Sequence, residues 1–272
     1  MIALIDGDIV CYQAAFGAET YTDWGDEDDT ITISGSKSET IAAIDNLVNE
    51  IKFAVNADRV LMTFSDKKNF RKDVYKLYKS NRKGNRKPVT YQYGVDYVES
   101  NYVTMRRTGL EADDCLGILA TGDISGFRAD KVVCSIDKDM RSFPCKLFNW
   151  KHPELGVQNI SEAEADLTFY TQCLTGDSVD GYPGCPGIGP VRAAKLLVGV
   201  QRETAWGMIV AAYEQKKLTE EDALVQARVA RILRSEDYDF TKKKPILWTP
   251  TKGEEDADIV SVQSEGAEDG QG

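Results

Sequence analysis

The chain has 272 residues, 42% of them apolar, enough to bury a core in one large domain or in a domain with a small module. No run of about 18 apolar residues occurs, so a membrane-spanning helix is not expected. With one histidine (His152) and six scattered cysteines in no CxxC spacing, a zinc site or a histidine-based triad fits poorly.

The sequence opens with MIALIDGDIV, which has no basic lead and an aspartate at position 6, so no signal peptide is expected. Free thiols point to a reduced, cytoplasmic setting. Residues 2–5 (IALI) read as a buried strand ending at Asp6-Gly7-Asp8, followed by a helix over about 9–18. The alternating stretch 20–35 reads as an exposed hairpin or loop. Ser38 and Glu39 open an amphipathic helix with Ile41, Ile44, Leu47, Val48 and Ile51 on one stripe. RVLMTF at 59–64 is a second strand, ending at Asp66. A helix over about 89–100 leads to a strand at 101–107, then to Glu111-Ala112-Asp113-Asp114 at a helix start. KVVCSI at 131–136 ends at Asp137-Lys138-Asp139. Strands alternating with helices predict a mostly parallel sheet, whose ligands bind beyond the carboxyl ends of its strands. From about 160 the strands stop and 162–234 reads as helical. Residues 236–250 read as an extended piece packing back on the body, and the tail beyond 251 as disordered.

The net charge of −11 conceals a strong asymmetry. The tail 251–272 sets seven acidic residues against Lys252, whereas residues 67–87 carry ten basic side chains against Asp73 alone. That strip has few apolar residues and is expected to be a flexible segment over the active edge, holding phosphates. Phe70, Tyr75 and Tyr78 within it suit either stacking on bases or anchoring the segment.

Asp6, Asp8, Asp66, Glu111, Asp113, Asp114, Asp137, Asp139, Asp177 and Asp180 all fall at ends of elements. Any one of them is as well explained by a turn or a helix cap. The set is not, because carboxylates brought to one edge repel unless cations lie among them. Oxygen ligands without histidine suit two Mg²⁺ ions, with Mn²⁺ as the alternative, and hence phosphoryl transfer or phosphodiester hydrolysis. In PGIGPVRAAKLL, Gly187 and Gly189 precede a helix opened by Pro190, with Arg192 and Lys195 close by. Such a turn lets backbone N–H groups approach a phosphate. Behind a preceding helix it reads as a helix–hairpin–helix that grips duplex backbone.

In order, DGD at 6–8, FSD at 64–66, YKSNRK at 78–83, EADD at 111–114, SIDKD at 135–139 and GDSVDGYPGCPGIG at 176–189 resemble the flap-endonuclease superfamily of 5′→3′ exonucleases. The resemblance is closest to the exonucleases of short-tailed lytic phages, and ARILRSEDYDFTKKKPILWTP at 230–250 is similar to the C-terminal end of those members. It covers roughly residues 1–250. It implies an α/β fold: a PIN-like nuclease domain with a mostly parallel central sheet over 1–160, with a short basic arch at about 67–100. A helical region with the helix–hairpin–helix follows over 161–250.

The resemblance further implies a first metal group of Asp6, Asp66, Glu111 and Asp113 with Asp114 close by, and a second of Asp137, Asp139, Asp177 and Asp180. Lys79 and Arg82 match the basic pair that contacts the scissile phosphate. Lys83, Arg86, Gly187, Gly189, Arg192 and Lys195 are the expected DNA contacts, with a K⁺ ion held by backbone carbonyls at 184–189. The implied activity is two-metal 5′→3′ hydrolysis at 5′ ends of duplex DNA, at flaps and at RNA primers, in the host cytoplasm. The acidic tail has no catalytic counterpart in the family, and either contact with phage replication proteins or solubility is expected of it. Only 44 residues separate Asp66 from Glu111, which makes the arch short, and Asp8 stands where many relatives have a non-acidic residue. The alternatives are a PIN-type ribonuclease, against which the hairpin argues, and a non-catalytic DNA-binding protein, against which the full carboxylate set argues.

Overall fold

The computed structural model describes residues 1–25, 31–82, 84–123 and 130–250; the acidic tail and Lys83 lie outside the described residues. Strand β1 (Ile2–Asp6) leads into helix α1 (Gly7–Gly17), the hairpin β2 (Glu19–Asp23) and β3 (Ile31–Gly35), and helix α2 (Lys37–Ala54). Strand β4 (Arg59–Phe64) is followed by the short helix α3 (Arg71–Val74), then α4 (Tyr91–Asn101), β5 (Thr104–Arg106), α5 (Ala112–Thr121) and β6 (Lys131–Cys134). Strands β7 (Cys145–Phe148) and β8 (Gln158–Ile160) close the first half. Helices α6 (Glu162–Thr175), α7 (Pro190–Leu197), α8 (Arg202–Glu214) and α9 (Glu220–Ala230) form the second, ending in the small hairpin β9 (Tyr238–Asp239) and β10 (Lys244–Pro245).

The main sheet has the order β5-β4-β1-β6-β7-β8. Its pairs are parallel except β7 with β8. Side chains alternate across the pleat. Ala3 and Ile5 of β1 meet Val10 and Cys11 of α1, Ile44 and Val48 of α2 and Val95 of α4 on one face. Ile2 and Leu4 meet Leu116 and Leu119 of α5 on the other. A strand covered on both faces needs an unbroken apolar run, which is why IALI shows no alternation. From β1 the chain steps outward to β4 and β5, then returns to place β6 on the other side of β1. Such a reversal opens a crevice at the carboxyl ends of β1 and β6.

The predicted strand at 101–107 is reduced to three residues, because α4 runs through Asn101 and the chain reaches only the sheet's outer edge. Strands β7 and β8 were not anticipated, being too short for a periodic signal. Helix α2 is capped two residues earlier than expected, by Ser36, whose hydroxyl accepts from Glu39 N at 3.3 Å.

The second half packs around its own apolar cluster, in which Phe169, Trp206, Ile209 and Tyr213 are buried. Trp248 closes it, with ring centroids 5.1 Å from Phe169 and 5.0 Å from Trp206. The basic strip is not the free segment expected from its composition. Phe70, Arg71 and Tyr78 are buried, so two of its aromatics are anchors.

Arg71 joins the parts. Its guanidinium makes a two-pronged contact with Asp114 of α5, at 2.8 and 2.7 Å. It also donates to Val229 O at 2.8 Å, Arg231 O at 2.7 Å and Glu111 Oε2 at 3.3 Å. All five guanidinium N–H donors are thereby used. Asp114 in turn accepts from Glu111 N and Leu233 N. A buried ion pair is tolerated when every donor and lone pair is met, and breaking one leaves the other charge stranded. Asp114→Ala is therefore expected to cost about 3–5 kcal/mol in denaturant unfolding, the range for an orphaned buried charge. A loss below about 1 kcal/mol, the level of an exposed pair, would contradict this role.

Candidate active site

At the crevice lies a cleft of about 270 Å³. Eight carboxylates line it: Asp6, Asp8, Glu111, Asp113, Asp137, Asp139, Asp177 and Asp180. They share it with three cations, Lys79, Arg82 and Lys138. Each acid is placed by its element. Asp6 ends β1 and caps α1, accepting from Ile9 N at 3.1 Å. Asp8 follows in the first turn of α1 and accepts from Ser65 N at 2.9 Å and the Tyr91 hydroxyl at 3.0 Å. Ser65 in turn accepts from Ala112 N at 3.0 Å, tying the end of β4 to the start of α5, where Glu111 and Asp113 stand. Asp137 and Asp139 follow β6 in a tight turn in which Asp139 N donates to Asp137 Oδ1 at 2.8 Å. Gln172 of α6 reaches Asp139 Oδ1 at 2.8 Å.

Asp177 and Asp180 come from the connection after α6. It closes on itself through reciprocal bonds between Asp177 and Tyr182, at 2.9 and 3.1 Å. Gly176 (φ +63°) and Gly184 (φ +64°) cross there so closely that a side chain on either would collide with the other's backbone. Only glycine supplies both the left-handed conformation and the space. The same connection continues into Gly187 (φ +77°) and Gly189, which caps α7. Gly187, Gly189, Arg192 and Lys195 are all exposed, while Ile188 between the glycines is buried.

Crowding shows in the acidities. Burial, then the neighbouring Asp8 and Asp137, pushes the Asp6 carboxyl up to about 7. Burial and the nearby Asp6, Asp137 and Glu111 carry Asp113 well above the carboxylate range. Burial and Asp137 bring Asp139 to about 6. Glu111 runs the other way: burial raises it, but Lys79 and Arg71 outweigh that and hold it at about 2.

Lys79 and Arg82 stand among the acids. Lys79 Nζ is 2.5 Å from Glu111 Oε1 and 3.5 Å from Asp180 Oδ2, and Arg82 is 2.6 Å from Asp180 Oδ1. Their turn is docked on the loop opposite, with Lys79 N donating to Asp180 O at 2.7 Å and Asn81 reaching Ser178 O at 3.0 Å. Lys79 adopts φ +53°, a left-handed conformation that non-glycine residues rarely hold without such anchoring.

Of the expected metal set, Asp66 and Asp114 lie off the cleft wall. Asp66 turns to Gly109 N at 2.8 Å, and Ser65 takes the wall position that the FSD motif suggested for it. Asp114 is engaged by Arg71. Arg86, expected on DNA, is paired instead with Glu19 of β2 at 2.5 and 2.8 Å. Residues not anticipated are Tyr78 and Gln172, which touch cleft carboxylates, and Lys138, on the wall between two of them. Tyr78 and Lys138 sat inside noted motifs, but Gln172 had no sequence signal.

Among the described residues, no three of these acids are drawn as close as a coordinated ion requires. The wall nevertheless fits a divalent ion. It offers hard oxygens and no nitrogen or sulfur ligand, and it carries a surplus of negative charge.

Asp6, Asp113 and Asp139 hold protons more tightly in the fold than in the unfolded chain. Their contribution to stability is present below about pH 3.9. It is lost as pH rises through about 6 for Asp139 and about 7 for Asp6. A divalent ion among them would relieve the repulsion. The rise in melting temperature on adding Mg²⁺ is thus expected to be larger at pH 8 than at pH 5, and equal rises would place the ion elsewhere.

Residues 1–163 match the family of the 5′-3′ exonuclease N-terminal resolvase-like domain. The chain is 30% identical to the exodeoxyribonuclease of Enterobacteria phage T3, over 92% of this chain and 93% of that one. The same figures hold for the exonuclease of Escherichia phage T7. Among solved structures, a phage T5 protein co-crystallised with metal ions superposes with a TM-score of 0.63 over 84% of this chain and 88% of that one, at 13% identity. A phage T5 flap endonuclease in a pseudo-enzyme–product complex with DNA and metal ions gives 0.58 over 84% and 92%, also at 13% identity. These two likenesses bear on the fold, which they show to be a mixed α/β architecture with a mostly parallel central sheet. With that domain matched across more than half the sequence and two phage exonucleases aligned along nearly all of it, the chain belongs to the 5′–3′ exonuclease family.

Proposed function

We infer that this chain is a 5′→3′ exonuclease and flap endonuclease acting on DNA, and that it cleaves with two divalent ions held in the acidic cleft. The observation that carries the reading is the cleft itself: eight carboxylates at the sheet's crevice, with Lys79 and Arg82 reaching in from the basic strip. Asp6, Glu111 and Asp113 would hold one Mg²⁺ or Mn²⁺, and Asp137, Asp139, Asp177 and Asp180 the other. Asp66 and Asp114 are left out, since their oxygens face Gly109 and Arg71. When bound, the ions supply an activated water and neutralise charge on the scissile phosphate.

The chain's own residues do the rest. Lys79 and Arg82 neutralise Glu111 and Asp180 when no other cation is present. Once the acids have other partners, the same two cations face a phosphate from above the cleft and stabilise the charge that develops on its oxygens. The Asp177–Asp180 loop runs straight into the Gly187–Gly189 turn and the start of α7. A duplex gripped by Arg192, Lys195 and the turn's backbone is therefore registered directly against the acids. A K⁺ ion on the turn's carbonyls belongs to this reading. So do RNA-primer removal and contact of the 251–272 tail with replication proteins.

The deciding experiment compares the full chain with Asp139→Ala on a 5′-labelled duplex, a 5′-flap duplex and an RNA-primed duplex, with Mg²⁺ and with chelator. Cleavage by the parent chain in Mg²⁺, lost in chelator and reduced at least about 100-fold in Asp139→Ala while duplex binding persists, is expected from loss of a charge-stabilising group. Binding without cleavage by the parent chain would leave a DNA-binding protein. For the hairpin, Arg192→Ala and Lys195→Ala are each expected to lower the slope of log affinity against log salt by about 1, through one lost phosphate contact. An unchanged slope in both would take α7 off the DNA.

A further inference from the structure

The contacts of Tyr78 go beyond packing. Its ring is 2% exposed and sits in the second half's apolar cluster, where a phenylalanine would pack as well. Its hydroxyl lies 2.7 Å from Glu111 Oε2 and 2.9 Å from Asp180 Oδ2. Glu111 precedes α5 in the sheet domain, and Asp180 sits on the loop after α6. One oxygen thus touches a carboxylate from each half of the acid set.

A phenol has one proton to donate. It serves one carboxylate at a time, and the other contact sets oxygen against oxygen. A cation stands beside each of the two acceptor atoms. Arg71 is 3.3 Å from the same Glu111 oxygen, and Lys79 is 3.5 Å from the same Asp180 oxygen. The arrangement is a bridge in which two cations allow one hydroxyl to hold two acids. Nothing in the burial of the ring calls for it.

We propose that Tyr78 is a positioning residue that sets the separation of Glu111 and Asp180, so that the two halves of the acid set present their oxygens to divalent ions at a fixed spacing. The inference rests on the reading of Glu111 and Asp180 as metal ligands. Tyr78 acts through those carboxylates and not on the phosphate. Its neighbour Lys79 has the phosphate-facing role.

The test uses the full chain with Tyr78→Phe and Glu111→Gln, each titrated with Mn²⁺ without DNA and followed by electron paramagnetic resonance. The Mg²⁺ dependence of flap cleavage, duplex affinity in chelator and the melting temperature are measured alongside. Removing a group that orients metal ligands weakens metal affinity by about 10–100-fold. Tyr78→Phe is expected to bind Mn²⁺ about tenfold more weakly and to need correspondingly more Mg²⁺. Excess Mg²⁺ should restore most of its rate, and duplex affinity in chelator should stay at the parent value. A purely structural tyrosine would lower the melting temperature and leave the metal titration unmoved, and that result overturns the proposal. If Glu111→Gln binds Mn²⁺ like the parent chain, the ligand reading itself fails. If Glu111→Gln loses Mn²⁺ and Tyr78→Phe does not, only the role of Tyr78 falls. Should the phenylalanine chain not fold, p-aminophenylalanine at position 78, whose two N–H groups can serve both acids, decides: parent-level Mn²⁺ affinity supports the bridge and a tenfold loss overturns it.

Discussion

Like charges gathered in one place must be compensated, and the architecture around the cleft follows from that requirement. The reversal of strand order beside β1 brings the ends of β1 and β6 and the start of α5, each with acids, to one crevice, where the end of β4 contributes Ser65. In a partly desolvated site their repulsion is strong. The protein meets it in three ways. Asp6, Asp113 and Asp139 are pushed toward the protonated form. Backbone N–H groups and hydroxyls are aimed at the carboxylates. Cations are also brought in from the basic strip. Under the proposed function, a divalent ion would take over this compensation, and a cluster that is costly on its own would then suit a metal-dependent nuclease.

The strip between β4 and α4 accordingly has two kinds of basic residue. Arg71 is buried, fully hydrogen-bonded and fixed between α5 and the segment after α9. Lys79 and Arg82 are partly accessible and ion-paired to acids whose partners can change. Arg86, farther along, is held by the hairpin carboxylate of Glu19. The segment is thus pinned at both ends, with the cleft cations Lys79 and Arg82 in the middle. Under the proposed function, so short a segment would bring its cations to a phosphate without having to order a long loop, whose immobilisation carries an entropic cost.

The connection from α6 to α7 carries both the cleft acids Asp177 and Asp180 and the Gly187–Gly189 turn. Gly176 and Gly184 press backbone against backbone, which ties the two ends of the Asp177–Asp180 loop together just before the Gly187–Gly189 turn. Under the proposed function, a duplex gripped at that turn would be aligned with Asp177 and Asp180 by the same connection. Tyr78 extends the same connection to Glu111 and hence to the first group.

Much of this was legible in the residues themselves. IALI, RVLMTF and KVVC are apolar runs that end at acids, and a parallel sheet buried on both faces requires such runs. The glycines at 187 and 189 before Pro190 specified a turn into a helix by local chemistry alone. Order along the chain also tied the motifs to a family of nucleases. Local pattern could not say which carboxylates face the cleft. Asp66 and Asp114 sit in the same motifs as Ser65, Glu111 and Asp113, yet one accepts a backbone N–H and the other a buried guanidinium whose partners are far apart in sequence. Nor could composition separate Arg71 from Lys79 and Arg82, because a basic strip looks uniform until its burial is known. Apolar runs and glycine turns are set by neighbours within a few residues, and sequence determines those, whereas the length of an edge strand such as β5 depends on the sheet it joins. Which oxygen meets which cation is set by contacts between segments such as 71 and 114, 78 and 180, or 139 and 172, and only the tertiary structure decides those.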